Sequence, residues 1–221
     1  MYKNWFTDAL HPDNPAARGF RSDFDLNPSA RAGGSATIKP YQGRKAAVLV
    51  PIVERESGLH VILTKRGDQL PTHAGQVSFP GGKIDSTDPS AKSAALREAK
   101  EEINLTPELV KIMGRLDTYE TSTGFHITPF VGFIERGNAM KLQAEPGEVA
   151  EIFEVPLAFL LDQRNHQIHS KEYLGQERHY YAMPYGDYYI WGATAAMLVN
   201  LSEVMQHAVT EGSDLLVFSG A

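Results

Sequence analysis

The chain has 221 residues, 42% of them hydrophobic and 22% charged, and it contains no cysteine. A chain of this size can bury roughly 70% of its unfolded surface in one core, and the missing thiols exclude a disulfide framework, a thiolate metal site and a cysteine nucleophile. Twenty-one Lys+Arg against 27 Asp+Glu leave a net charge of −6, which argues against nucleic acid as a partner and obliges any small anionic ligand to find positive charge locally.

Residues 1–43 read as an N-terminal arm and 44–221 as the main domain. The arm holds Pro12, Pro15, Pro28, Pro40 and the Gly33-Gly34 pair, so a short helix over Asn4–Leu10 is expected to give way to irregular chain wrapping the domain. Ala46–Val53 is a continuous apolar run, as in a strand buried on both faces. Leu59–Thr64 follows across Ser57-Gly58 as its hairpin partner. Further strands are expected at Gln76–Phe79, Lys111–Tyr119, Ile127–Ile134, Val149–Val155, His166–Tyr173 and Arg178–Met183, with helices at Pro89–Ile103 and Gly192–Ala208. Strands in mixed order with two separated helices predict an α/β (α+β) sandwich with a mixed sheet. No stretch reaches the ~18–20 apolar residues of a membrane span, and Met1–Phe6 lacks the apolar core of a secretory signal. A soluble cytoplasmic protein is expected, with no membrane partner.

The segment from Gly81 to Leu105 carries the chemistry. Asp88 before Pro89 reads as an N-cap with proline at the first helical position. At ~100° per residue, Glu98, Glu101 and Glu102 share one arc of the helix, and Leu96, Ala99 and Ile103 form a core-facing sector. Ala91, Ala94 and Ala95 fall on the glutamate face earlier in the helix, leaving a shallow surface open to a phosphate or a loop. The three carboxylates lie where the helix dipole disfavours anions, and Glu98 with Glu102 is a like-charge i,i+4 pair costing roughly 0.2–0.5 kcal/mol. Arg97 and Lys100 offset part of this. A divalent cation would reverse the sign, because Mg²⁺ takes one or two carboxylates together with waters and substrate phosphates.

Gly82, then Arg97-Glu98-x-x-Glu101-Glu102 and an apolar residue at Leu105, resembles the box of the Nudix hydrolases. The Gly82-to-Arg97 spacing is one residue longer than the general box, with Asp88 at its acidic position and Asn104 replacing a glycine. That spacing, and the upstream run Leu63-Thr64-Lys65-Arg66-Gly67-Asp68-Gln69-Leu70-Pro71-Thr72-His73-Ala74-Gly75-Gln76-Val77-Ser78-Phe79-Pro80-Gly81-Gly82, resemble the coenzyme A pyrophosphatase branch, with departures at Gly67 and Pro71. The resemblance extends over residues 44–200 and implies a Nudix-type α/β/α sandwich. It also implies Mg²⁺- or Mn²⁺-dependent hydrolysis of coenzyme A to 3′,5′-ADP and 4′-phosphopantetheine. Another nucleoside diphosphate derivative (ADP-ribose or a dinucleotide) is the alternative, and a non-catalytic nucleotide sensor is a third reading. The glutamates of the box, all kept here, speak against the sensor. The resemblance leaves a homodimer open.

Carried onto this sequence, the resemblance implies Glu98, Glu102 and the Gly82 carbonyl as metal ligands. Glu101 would bridge a second metal or orient Arg97, which would hold the loop to the helix. Glu148 is the best match for a general base, ahead of Glu145, Glu120 and Glu98 itself. Lys65, Arg66 and Arg44 are candidates for an extra phosphate, arginine's planar fork suiting that contact. His73 would orient substrate or a carbonyl, and Gly81-Gly82 would allow close backbone approach. The aromatic group Tyr180, Tyr181, Tyr185, Tyr188, Tyr189 and Trp191 reads as core and interface, with stacking of an adenine as the other reading.

Overall fold

A computed structural model describes residues 2–28, 43–137, 141–173 and 175–210. Helix α1 (Tyr2–Ala9) is followed by largely irregular chain that includes strand β1 (Phe20–Ser22). Strands β2 (Arg44–Arg55) and β3 (Gly58–Arg66) form the expected hairpin, and β4 (Val77–Ser78) and β5 (Gly81–Lys83) lead into helix α2 (Ala91–Ile103). Then come β6 (Lys111–Arg115), β7 (Thr118–Glu120), β8 (Phe125–Ile134), β9 (Val149–Pro156) and the short helix α3 (Leu157–Leu161). The described chain closes with β10 (Gln167–Tyr173), β11 (Gln176–Tyr185), β12 (Tyr188–Trp191) and helix α4 (Gly192–Thr210).

β2 is the spine. It runs parallel to β8 from Arg44↔Phe125 to Val53↔Ile134 and antiparallel to β3, so the sheet is mixed. The strand order is β1-β7-β8-β2-β3-β4, with β5 also on β2, β6 on β8 and β9 on β3; β10-β11-β12 form a separate antiparallel sheet. The apolar run in β2 is buried on both faces because successive side chains point to opposite sides. Ala47, Leu49 and Val53 join Ile62 against Ala94, Ala95, Ala99 and Ile103 of α2. Val50 and Ile52 join Val61 and Leu63 against α1, α3 and α4, through Phe6, Leu160, Leu198 and Leu201. Each large aliphatic side chain so buried contributes about 1.5–3 kcal/mol. The product is an α/β/α sandwich with α2 on one face and α1, α3 and α4 on the other.

Several expectations need correction. Ser90, not Asp88, caps α2: it has extended backbone and its hydroxyl accepts from the Ser93 N–H at 3.1 Å. Asp88 is committed to the preceding loop, where its carboxylate takes the Asp85 N–H at 2.8 Å. Ala94 and Ala95 are fully buried against β2, so they let the helix sit close to the sheet and offer no open surface, whereas Ala91 is partly exposed and lines a cleft with Lys45 and Ile84. The expected strand Lys111–Tyr119 breaks in two, because Asp117 turns inward to Arg21, with its own N–H on Asn200 Oδ1 at 3.0 Å. Within the arm, Phe6 and Ala9 are buried in the common core, whereas Pro40, Gly33-Gly34 and the rest of 29–42 lie outside the described residues.

Candidate active site

Strand parity brings β5 to the glutamates. The Leu49 N–H donates to the Pro80 carbonyl at 2.9 Å and the Ile84 N–H to the Lys45 carbonyl at 3.1 Å. Between these bonds Gly82 is registered with Ala47, so its N–H and carbonyl face β2. The peptide groups of Gly81 and Lys83 face α2 instead: the Gly81 N–H donates to Glu102 Oε2 at 3.2 Å, and the Lys83 carbonyl accepts from Arg97 Nη2 at 3.3 Å. Both glycines are needed for this approach. A Cβ at Gly82 would collide with the Glu98 carboxylate, and one at Gly81 would meet the Ala47 carbonyl oxygen and the Val48 Cα.

Glu102 is 5% exposed. Burial pushes its pKa up to about 7; the charges of Glu98 and Glu148 add to the rise, while the Gly81 N–H and the Arg66 charge oppose it. Burial likewise raises Glu98, against the pull of Arg97, with Glu101 and Glu148 adding to the rise. Glu148, itself exposed, is therefore in electrostatic reach of both residues. Its loop is pinned at two points: the Gly67 N–H donates to the Glu148 carbonyl at 2.9 Å, and the Glu145 N–H to the Glu102 carbonyl at 2.9 Å.

Arg97 organises the carboxylates from the side. Its Nε and Nη2 form a fork onto Asp88, each at 3.0 Å, and its Nη1 bonds Glu98 Oε1 at 3.0 Å and Glu101 Oε2 at 2.8 Å. The Asp88 bond dominates in holding this guanidinium protonated. Glu101 is thus engaged with Arg97. Asp88 stands out in the sequence as a capping residue and as the acidic position of the box; its partner Arg97 lies nine residues on, beyond any local propensity rule.

The remaining candidates separate. The charge of Arg66 acts on Glu102, and its buried Nε has no hydrogen-bond partner among the described residues. Lys65, next to it, lines a cleft on the other face with Tyr188, Tyr189 and Trp191. Arg44 is turned to the β7–β8 turn, with Nη2 on the Thr123 carbonyl at 3.0 Å and its guanidinium 4.0 Å over the Phe125 ring. Glu120 sits beside His126 at 3.6 Å. His73 is exposed and holds Gln76 Oε1 through Nδ1 at 2.9 Å.

The oxygen-only donors around Glu98 and Glu102 fit a hard divalent cation. A buried carboxyl whose only hydrogen-bond donor among the described residues is one N–H at 3.2 Å is the kind of group that such an ion would relieve. Among the described residues no group of three or more His, Asp or Glu side chains is placed to hold a metal ion by itself; Mg²⁺ ordinarily takes one or two carboxylates and completes its shell with water and phosphate oxygens.

The NUDIX domain family matches residues 43–174. The uncharacterized Nudix hydrolase NudL of Enterobacter sp. (strain 638) is 42% identical over 160 residues, covering 72% of this chain and 81% of that protein. Nudix hydrolase 15, mitochondrial, of Arabidopsis thaliana is 37% identical over 169 residues, covering 74% of this chain and 59% of that protein. The crystal structure of a MutT/nudix family protein from Enterococcus faecalis aligns with TM-score 0.46 and 13% identity, over 93% of this chain and 78% of that one. With a family match over more than half its length and relatives above 40% identity, the chain belongs to the Nudix hydrolases, enzymes that act on pyrophosphate bonds.

Proposed function

We propose that the protein hydrolyses the pyrophosphate bond of coenzyme A or its derivatives, using Mg²⁺ or Mn²⁺, and releases 3′,5′-ADP and 4′-phosphopantetheine. The observation that carries the reaction type is the buried Glu102 carboxyl facing Glu98, with Glu148 and Arg66 in electrostatic reach. Support for coenzyme A comes from the Leu63–Gly82 signature. Glu98 and Glu102 would hold the cation, with the Gly81 carbonyl in place of that of Gly82, because the Gly81 peptide is the one that faces α2. When bound, the cation supplies positive charge to the pyrophosphate oxygens and to the attacking water.

The chain's own groups do the rest. The Arg66 charge, which acts on Glu102, serves the reacting phosphates and not a distal one. Glu148 takes the proton of the water whose oxygen attacks phosphorus, as the bond to the leaving phosphate breaks. Arg97, with all its nitrogens committed to protein oxygens, positions Glu98 and Glu101 and does not touch substrate.

The test is a panel of coenzyme A, 3′-dephospho-coenzyme A and ADP-ribose, assayed with Mg²⁺ and with Mn²⁺ and with products identified by mass. Coenzyme A is expected to be the best substrate, and Glu102→Gln is expected to lower kcat roughly 10²–10³-fold. Preference for ADP-ribose would move the assignment to another nucleoside diphosphate derivative. Unchanged turnover in Glu102→Gln at saturating metal would remove the site itself.

A further inference from the structure

Lys65 and Arg66 are adjacent in sequence and divergent in setting. The pairing of β3 with β9 shifts register between them, at the point where the strand enters the signature loop. Arg66 acts on Glu102 on the α2 side. Lys65 reaches the opposite face and lines a cleft of about 470 Å³, which is within the range of small-molecule sites.

The cleft has prefixed aromatic walls. Tyr189 is 39% exposed, yet its hydroxyl is held by His169 Nδ1 at 2.7 Å. Trp191 lies 6.3 Å from the Tyr189 ring and is braced edge-on by Tyr180 at 5.1 Å. Tyr188 stacks on Phe153 at 3.6 Å and donates its hydroxyl to Glu151. These rings are held by groups behind them, and Tyr189 is left partly open to solvent.

The polar edge is mixed. The Lys65 ammonium makes no hydrogen bond or ion pair among the described residues. The oxygen of Gln76 is taken by His73, so its amide nitrogen is left as a donor. Glu151 and Asp187 supply acceptors. A purely anionic group would meet two carboxylates here, and an apolar arm would leave Lys65 and those carboxylates unpaired. A flat heteroaromatic ring that both donates and accepts at its edge satisfies all of them.

We infer that this cleft binds the base of the substrate's nucleotide, stacked on Tyr189 and Trp191 with Lys65 beside it. Alternation of side chains along β3 then acts as the junction, sending one cation to the reacting phosphates and its neighbour to the base. The inference rests on the reading that the substrate is a nucleoside diphosphate derivative.

Trp191 reports on the cleft directly. In a Trp5→Phe background without metal, titration with 3′,5′-ADP is expected to quench Trp191 fluorescence saturably, whereas ribose 5-phosphate, which lacks a base, should not. Tyr189→Ala and Lys65→Ala should each weaken nucleotide binding by about tenfold or more. If Trp5→Phe perturbs folding, the same titration of the unmodified chain against Trp191→Phe gives the difference signal. Absence of quenching, or quenching with unchanged affinity in both variants, overturns the inference. Turnover of coenzyme A in the unmodified chain is read separately. Turnover together with binding insensitive to Tyr189→Ala and Lys65→Ala defeats this inference alone, whereas sensitive binding without turnover defeats the proposed hydrolysis and leaves the base site standing.

Discussion

Glu102 concentrates the electrostatic tension of the molecule. An ordinary glutamate has a pKa of 4.5, and burial moves this one to about 7. The folded protein therefore holds its proton more tightly than the unfolded chain does. For the metal-free protein the associated stability is fully present below about pH 4.5, declines as pH rises, and is lost above about pH 7, by at most about 3 kcal/mol. Glu98, raised by the same cause, acts in the same direction. The melting temperature of metal-free protein should fall between about pH 5 and 7.5, and Glu102→Gln should flatten that fall. Adding Mn²⁺ at pH 7.5 should restore stability to the unmodified chain and do much less for the variant. An identical pH profile in the two proteins would show that Glu102 does not carry the effect.

At the scale of elements, α2 is held by its ends. The Ser90 cap should be worth about 1 kcal/mol, read as a lower urea midpoint in Ser90→Ala. At the other end Asn104 has φ 54°, a left-handed conformation that asparagine tolerates better than most residues. Its amide also donates to the Lys141 carbonyl at 3.0 Å. Asn104→Ala should therefore cost about 1 kcal/mol and Asn104→Gly distinctly less. The sequence marked this position as one where glycine is usual, and the backbone explains why. It also marked the strands with long apolar runs, because β2 and β3 need both faces filled. It did not mark β5, since glycines have no strand preference, and this strand owes its existence to its register with β2. Ala94 and Ala95 were misassigned to an open face for a related reason. Periodicity separates faces but cannot tell which of them meets the sheet, and here even Glu102 is turned inward. Lys65 and Arg66 part company by the alternation of side chains along β3, which runs to Arg66 and so two residues past the expected end at Thr64.

At the scale of the whole molecule, the arm is bolted to the domain by a buried charge cluster. Arg21 bonds Asp117 at 2.8 Å and Glu203 at 2.6 Å, and the Asp117 side chain is only 3% exposed. Burial would lower the pKa of Arg21, but the bonds to Glu203 and Asp117 outweigh it. Arg21→Ala removes the cation from a buried carboxylate that the Arg18 and Gly19 N–H groups and Asn200 Nδ2 still bond, and should cost about 3 kcal/mol in urea unfolding. Adding Asp117→Leu leaves those donors unpaired and should lower the urea midpoint further; a midpoint unchanged in Arg21→Ala would count against the cluster as the bolt. Nearby, Trp5 Nε1 donates to the Met205 carbonyl at 3.3 Å and Asn14 Nδ2 to the Val204 carbonyl at 3.0 Å, across sequence separations of 200 and 190 residues. During synthesis, then, the first helix exists long before its partner does. At ~5–20 residues per second, Val50, Ile52, Val61 and Leu63 wait roughly 10–30 s for α4 to emerge and cover them. A ribosome-bound chain stalled before Gly192 should be protease-sensitive and in need of a chaperone, and one stalled well beyond Thr210 should not.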